Sequence, residues 1–455
     1  MGQESKVLLI GYHERNTELC ASAARISTTK GSAAEIFEKS KGNEKNQELI
    51  RRVLRSGHKT IIEHAAFTFA FQNVSAFAEQ YFIESRLASF TVKSRRYVDF
   101  GGQGYYVPPD LEGGDKEAYC EYMDALFAAY GALLENGIPK EDARFLLPYS
   151  FHSNFYCTLN ARELVHILRD IKYGRGRDIP ELQELAALMA AQVREVFPGI
   201  CDEIEAVPAG DGAGTCAPGV FVCDQALFME PQQLGSVRLL AGPAEPAEIL
   251  RAAYRIYHPG EDQVPPFCSM LRTGRPRELE QLSYSFVISD ITLSGITHMV
   301  RHRMQSVLVP SIRELTHGKY VLPDTIRRDG ASCSLYKHAL ECSHERVMRL
   351  CKDKTLGRFG YYFAVSGNVM DLMTTQNARE LDHFMRLRTC NRAQWEIRKI
   401  AVDMLKSLRG SFPELFSCFG PGCFVNGQCP EGSMSCGKKD EVLNFFCTCR
   451  TERGI

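Results

Sequence analysis

Phenylalanines at 67, 69 and 71 alternate with smaller residues, and Tyr284, Phe286 and Ile288 repeat that alternation later in the chain. A period of two predicts a half-buried strand at each place. Short apolar runs at 7–12 and 237–240 predict an opening strand, and the segments 17–26 and 247–257 follow as helices. New helices are expected from about Ser75 and from about Thr292. Helical patterning then covers 116–135 (stopped by Gly137), 160–170 and 181–196, with counterparts near 336–352, 377–388 and 391–408. Strands interspersed with helices predict an α+β fold of α/β layers, each half a mixed sheet packed with long helices.

The two halves are copies. Glu63 corresponds to Glu280, Arg86 to Arg303, Ser94 to Ser311 and Asn160 to Asn377, always 217 residues on. The pentapeptide Asn-Ala-Arg-Glu-Leu starts at Asn160 and again at Asn377. A period this long excludes a solenoid, whose repeats run to roughly 20–50 residues. The expected organisation is a first copy at 1–205, a linker at 206–235 centred on the Gly/Pro/Ala-rich stretch 208–219, a second copy at 236–420 and a Cys-rich tail at 421–455.

Charge narrows the partners. The 455 residues carry 54 Lys and Arg against 55 Asp and Glu, a net charge of −1, so no broad basic surface for nucleic acid or membrane is expected. The apolar run 7–10 is too short for a signal sequence, and no stretch of about 18 apolar residues suggests a membrane span. The chain reads as cytoplasmic, its seventeen cysteines mostly reduced thiols. Cys423, Cys429 and Cys436 lack the tight paired spacing of zinc knuckles, so free tail thiols and no metal are expected.

The copies differ most where the second has Arg301-His302-Arg303 and the first has Glu84-Ser85-Arg86. One reading is a helix C-terminus decorated with favourable cations, at about 0.3–1 kcal/mol each. The other is an anion site, because three cations or near-cations repel one another without an anion between them. Ser311 and Arg313 follow closely and add a hydroxyl and a forked donor suited to phosphate.

Arg-His-Arg, then seven residues, then Ser311 resembles the signature of flavin-dependent thymidylate synthases. The likeness continues through His58-Lys59-Thr60, Glu63-His64-Ala65-Ala66-Phe67, Ser94-Arg95-Arg96, Arg144 with Leu147-Pro148, and Arg388 with Gln394-Trp395-Glu396. It covers roughly 5–200 and 236–420, two copies of a domain that the family usually has once. The resemblance implies reductive methylation of dUMP to dTMP, with FAD as cofactor and methylenetetrahydrofolate and NADPH as co-substrates. It implies catalytic roles for Arg301, His302, Arg303 and His58. Flavin contacts are implied for those four and for Ser27, Thr60, Glu63, Asn160, Arg162, His166, Asn377, Arg379 and His383. Contacts to dUMP are implied for Ser94, Arg96, Arg144, His298, Ser311, Arg313 and Arg388. His166 and His383 replace an asparagine-like flavin contact, and Val92 and Val309 stand where the family usually has an acid.

The family is a homotetramer with sites between subunits, and here the losses are complementary. Copy one keeps Ser27, His58, Thr60 and Glu63, where copy two has Tyr257, Arg275, Arg277 and Glu280. Copy two keeps Arg301 and His302, and it has Arg388 where copy one has Ile171. A working site is therefore expected to combine the two, in a homodimer equivalent to a four-domain tetramer. The alternatives are a flavin- or nucleotide-binding pseudoenzyme and, against the neutral charge, a nucleic-acid-binding module.

Overall fold

The computed structural model describes residues 5–207, 229–261, 263–271, 276–312, 318–350 and 356–448. Most of the expected linker, together with Arg275 and Arg313, lies outside the described residues. The chain divides into two compact units, Met1–Asp224 with Asp324–Val365, and Gln225–Pro323 with Ser366–Ile455.

The first unit is built on strands β1 (Lys6–Tyr12), β2 (Ala66–Ser75), β3 (Ala88–Val92) and β4 (His152–Asn160), in the order β1-β2-β4-β3. Phe67, Phe69 and Phe71 all point inward and are at most 1% exposed. Each contributes roughly 1.5–3 kcal/mol by burial. Phe71 stacks on Phe155 with ring centres 4.4 Å apart. Helices Asn16–Arg25, Ala33–Ser40 and Asn46–Arg55 pack together, with Ile36, Ile50 and Leu54 buried. The second and third of these were not apparent in the sequence pattern.

Two long helices, Gly113–Glu135 and Gly330–Leu350, pack against each other within this unit. Tyr122 Oη meets Ser343 Oγ at 2.6 Å and Asn136 Nδ2 meets Ser332 Oγ at 3.1 Å, pairings that require antiparallel helices. These helices occupy equivalent places in the two sequence copies, so the segment Asp324–Val365 clusters with the first unit although its sequence register is that of copy two.

The second unit repeats the sheet with β5 (Ser236–Ala241), β6 (Ser283–Thr292), β7 (Gln305–Leu308) and β8 (Val369–Asn377), ordered β5-β6-β8-β7. Tyr284, Phe286 and Ile288 are fully buried. The α+β class is as expected, but every pairing between the described strands is antiparallel, where mixed sheets were expected. Alternating apolar positions reveal a buried face; strand direction depends on how the connections return, which the pattern does not contain.

Each unit interrupts its second strand at the same place. Asn73 (φ 54°) and Asp290 (φ 55°) sit where the register shifts against β4 and β8, in the left-handed region that asparagine and aspartate tolerate best among residues with a side chain. The strand then ends in a helix cap: Ser75 Oγ accepts from Ala78 N–H at 2.9 Å, and Thr292 Oγ1 accepts from Gly295 N–H at 2.8 Å. A buried carboxylate receives each cap residue's own N–H at 2.7 Å, Glu181 in the first unit and Glu396 in the second. Helices Ala76–Ile83 and Leu293–Met299 thus start at defined points and aim the residues that follow them.

The tail is docked on its unit as far as it is described. Arg409 is buried and donates to the carbonyls of Phe416, Ser417, Phe419 and Phe446, tying down the helix Lys439–Thr448. Cys268 and Cys418 form a disulfide, an exception within a set of cysteines expected to be mostly reduced thiols. No helix among the described residues is long and apolar enough to cross a membrane.

Candidate functional site

In the second unit, helix Leu293–Met299 ends at Val300, and His302 N–H bonds back to Met299 O at 3.1 Å. That tightening fans out the next three side chains. Arg301 and Arg303 are exposed, while His302 turns inward and is 4% exposed. Its ring is gripped from both sides: Nδ1 lies 3.0 Å from Glu380 Oε1, and Arg388 Nε donates to Nε2 at 2.9 Å. A guanidinium can only donate, so Nε2 is the accepting nitrogen and the ring proton resides on Nδ1, facing the carboxylate.

The electrostatics agree with a neutral ring. Burial pulls the His302 pKa below the ordinary histidine value, and the neighbouring Arg388 and His383 act in the same direction. Glu380 opposes them without reversing the shift. Of the three cations or near-cations expected, two are exposed guanidiniums, and between them lies a neutral, oriented imidazole. Phe384 and His383 complete its surroundings, with ring centres 4.8 and 5.6 Å from that of His302.

Glu380 owes its position to the helix Ala378–Arg388. Asn377 is the N-cap and accepts from Glu380 N–H at 2.9 Å, so the carboxylate emerges from the first turn and Arg388 from the last. Sequence reasoning missed Glu380 as a functional residue. The signal was present, because it is the fourth residue of the repeated Asn-Ala-Arg-Glu-Leu motif, but its partner lies 78 residues away. Within the same motif, Asn377 acts as a cap and Arg379 pairs with Glu280. His383 is exposed beside His302, His298 is half-buried on its helix, and Ser311 is exposed. Arg313 lies outside the described residues.

The first unit repeats this frame with different contents. Asn160 caps the helix Ala161–Tyr173 through Glu163 N–H at 2.9 Å, and Arg162 pairs with Glu63 at 2.5 Å, matching Arg379 and Glu280. His58 immediately precedes the 3-10 turn Lys59–His64 and makes no side-chain cap to it; His58, Thr60 and Glu63 are all exposed there. Ala161 N–H bonds Ala65 O at 2.9 Å, which joins that turn to the start of the helix bearing Arg162. Ser27 is exposed just past the helix Asn16–Arg25, which packs on the same turn, and His166 is exposed on its helix. Ser27, His58, Thr60, Glu63, Asn160 and Arg162 thus belong to one neighbourhood.

At the position of Arg301 the first unit has Glu84, and it is closed off. Arg175 Nη1 donates to Glu84 at 3.0 Å and its Nε to Asp170 at 3.2 Å, while Tyr81 Oη donates to Asp170 at 2.5 Å. Burial raises the Glu84 pKa, with Arg175 opposing. Ser85 and the buried Ile171 stand where the second unit has His302 and Arg388. Of the three motif positions only Arg86 keeps a cation on this face, and the Glu84 carboxylate stands where the second unit has Arg301. Elsewhere in the first unit, Arg96 Nε pairs with the Glu141 carboxylate at 2.5 Å, and the buried Arg144 donates through Nε to Glu141 O at 3.0 Å. Ser94 Oγ accepts from Arg96 N–H at 3.3 Å. Those three expected nucleotide contacts therefore converge around Glu141.

The donor set of the second unit suits an anionic nucleotide: exposed forked guanidiniums beside a neutral ring whose remaining hydrogen-bonding capacity is already satisfied. A flavin with its phosphates fits that description, whereas the Glu84 face does not.

Comparison with known proteins agrees with this division. The family model described as "Thymidylate synthase complementing protein" matches residues 8–199 and, separately, 247–414. The flavin-dependent thymidylate synthase of Geobacter sulfurreducens is 34% identical over 181 residues, covering 39% of this chain and 78% of that protein. Its namesake in Clostridium tetani is 31% identical over 240 residues, covering 46% of this chain and 96% of that protein. A crystal structure of the UMP/dUMP methylase PolB from Streptomyces cacaoi bound with 5-Br dUMP matches at 25% identity and a TM-score of 0.39, over 45% of this chain and 95% of that one. A repeated sheet, a repeated capped helix and two separate matches to one model lead to the same result: the chain belongs to the thymidylate synthase complementing protein family and carries the family's domain twice in tandem.

Proposed function

We propose that the chain catalyses reductive methylation of dUMP to dTMP, using FAD, methylenetetrahydrofolate and NADPH, at sites that combine the half-sites of its two copies. The observation that carries this reading is the environment of His302, held neutral by burial and fixed between Glu380 and Arg388, with Arg301 and Arg303 exposed on either side. The flavin, when bound, supplies the hydride that completes the methyl group.

The chain's own residues act by positioning and electrostatics. Arg301 and Arg303 attract and hold phosphate or an electron-rich ring system. His302 lends shape and polarity without a competing charge, and its accepting Nε2 holds Arg388, a residue expected to contact the nucleotide. Glu380 acts through His302, so it is a positioning residue. From copy one come the exposed His58 and Thr60 and the paired Glu63, while Ser94, Arg96 and Arg144 supply a nucleotide-binding group around Glu141. Paired chains would offer two complete sites, and the Glu84 faces would bind no flavin.

Flavin titration tests the composite arrangement. One FAD per chain is expected, and two per chain would overturn it. Rescue of a thymidine-requiring bacterial strain tests the activity. A yellow protein that binds FAD yet fails to rescue, and shows no dUMP-dependent turnover in vitro, would establish the binding-only alternative.

A further inference from the structure

Three polar side chains are sealed behind the turn that presents Arg301, His302 and Arg303. Gln305 is 2% exposed, Gln376 is 1% exposed and Thr374 is fully buried. Gln305 opens β7 and stands opposite Gln376 of β8, with Thr374 two residues earlier on the same face of that strand. The first unit uses the same register, Ala88 of β3 standing opposite Leu159 of β4. Its side chains at these three places, 217 residues earlier, are Ala88, Cys157 and Leu159, all buried. An apolar set therefore fills the position in the unit whose Arg-His-Arg motif is lost, and an amide–hydroxyl–amide set in the unit that keeps it. Burying amides is unfavourable unless they are hydrogen-bonded. Gln376 Oε1 is buried with no hydrogen-bond partner among the described residues. Packing alone does not account for the polar set.

Its hydrogen bonds do. Gln305 Nε2 donates to Met299 O at 2.5 Å. That carbonyl also receives His302 N–H, the bond that closes the turn. A carbonyl can only accept, which fixes the orientation of the Gln305 amide. Gln305 Oε1 then accepts from Thr374 Oγ1 at 2.7 Å and from Gln376 Nε2 at 3.1 Å. Gln376 is followed directly by Asn377, the cap of the helix that carries Glu380 and Arg388. One side chain thus ties the end of the helix Leu293–Met299 to the start of the helix Ala378–Arg388. The first unit closes its turn through Ser85 N–H to Phe82 O at 3.0 Å, and the methyl group of Ala88 offers no second donor.

We propose that Gln305 is a positioning residue of the site. Through Met299 it fixes the turn that points His302 inward and Arg301 and Arg303 outward. Through Thr374 and Gln376 it sets that turn against Glu380 and Arg388. Apolar contacts are non-directional, whereas a chain of hydrogen bonds specifies distance and angle. The consequence for flavin and nucleotide rests on the function proposed above; the consequence for the His302 ring does not.

The test uses the full chain and two variants. Gln305→Met conserves volume and lets Thr374 Oγ1 pair with Gln376 Nε2, so it removes the hold on Met299 alone. Gln305→Ala combined with Thr374→Cys and Gln376→Leu installs the first unit's apolar set, which that unit accommodates in the same strand pair. Both should melt close to wild type. Nitrogen-15 histidine spectra of the ligand-free chain, with the His302 signal assigned by its loss in His302→Asn, should show a single ring tautomer in wild type and an averaged one in both variants. FAD affinity, read by fluorescence quenching, and kcat/KM for dUMP should each fall about tenfold, the loss that follows removal of one well-placed hydrogen bond. A wild-type His302 signal in either folded variant would overturn the proposal, whatever happens to turnover. So would a lowered melting temperature as the only change, which would make the network purely structural. Wild type that binds no FAD would instead refute the proposed function, and the ring spectra would still decide the role of Gln305.

Discussion

Replacing Glu380 by alanine should cripple nucleotide use while leaving the fold intact. The carboxylate accepts from a ring that is 4% exposed, so its loss strands the His302 Nδ1 proton away from water. A hydrogen bond to a charged group contributes about 1.5–3 kcal/mol, and a buried unsatisfied donor costs about 1–3 kcal/mol. Taking about 2–3 kcal/mol of lost orientation at Arg388, with about 1.4 kcal/mol for each factor of ten, kcat/KM for dUMP should fall roughly 30- to 150-fold. Steady-state kinetics with a parallel melting curve separates this from general destabilisation. Glu380→Gln supplies the sharper control, because an amide oxygen can accept from Nδ1 but carries no charge. Glu380 is the group that pulls the His302 pKa upward, against burial and Arg388. Removing its charge lets that pKa fall further, so the acid limb of the rate profile should move to lower pH in Glu380→Gln. For stability the sign follows from the depressed folded value: the His302 contribution is complete above the ordinary histidine value of 6.5 and is lost as pH falls through the lower folded one. An alanine variant within twofold of wild type, or an unmoved acid limb in the glutamine variant, would refute the positioning role.

Other expectations are simpler. Arg301→Ala should abolish flavin-dependent turnover, whereas Glu84→Gln, on the closed face, should leave turnover unchanged; equal losses in both would show that the Glu84 face also works. Asn73→Ala should destabilise the first unit by about 1–2 kcal/mol, because φ is 54° there, and Asn73→Gly should be nearly neutral; urea unfolding reads the difference. Arg409→Ala removes donors to four carbonyls and should cost about 3 kcal/mol, with early proteolysis of the tail as its signature. Arg409→Lys should not rescue it, since one ammonium cannot reproduce the fork.

The sequence by itself determined the duplication, the buried faces of the strands and the segment that carries the site. Those properties are written in spacing: apolar residues two apart, matching motifs 217 apart, and the contrast of Arg301-His302 with Glu84-Ser85. Helix starts at Ser75 and Thr292 were legible for the same reason, since a cap is a local interaction. The tertiary structure alone decided which ionisable groups meet. Glu380 reaches His302 across 78 residues, and Arg388 reaches it across 86. Arg175 neutralises Glu84 from 91 residues away. No periodicity encodes such pairings, because they arise when packed elements bring distant side chains into the same low-dielectric space. That is also why the sequence left His302 a cation or near-cation and the fold makes it a neutral ring: protonation depends on burial and neighbours, and both are properties of packing.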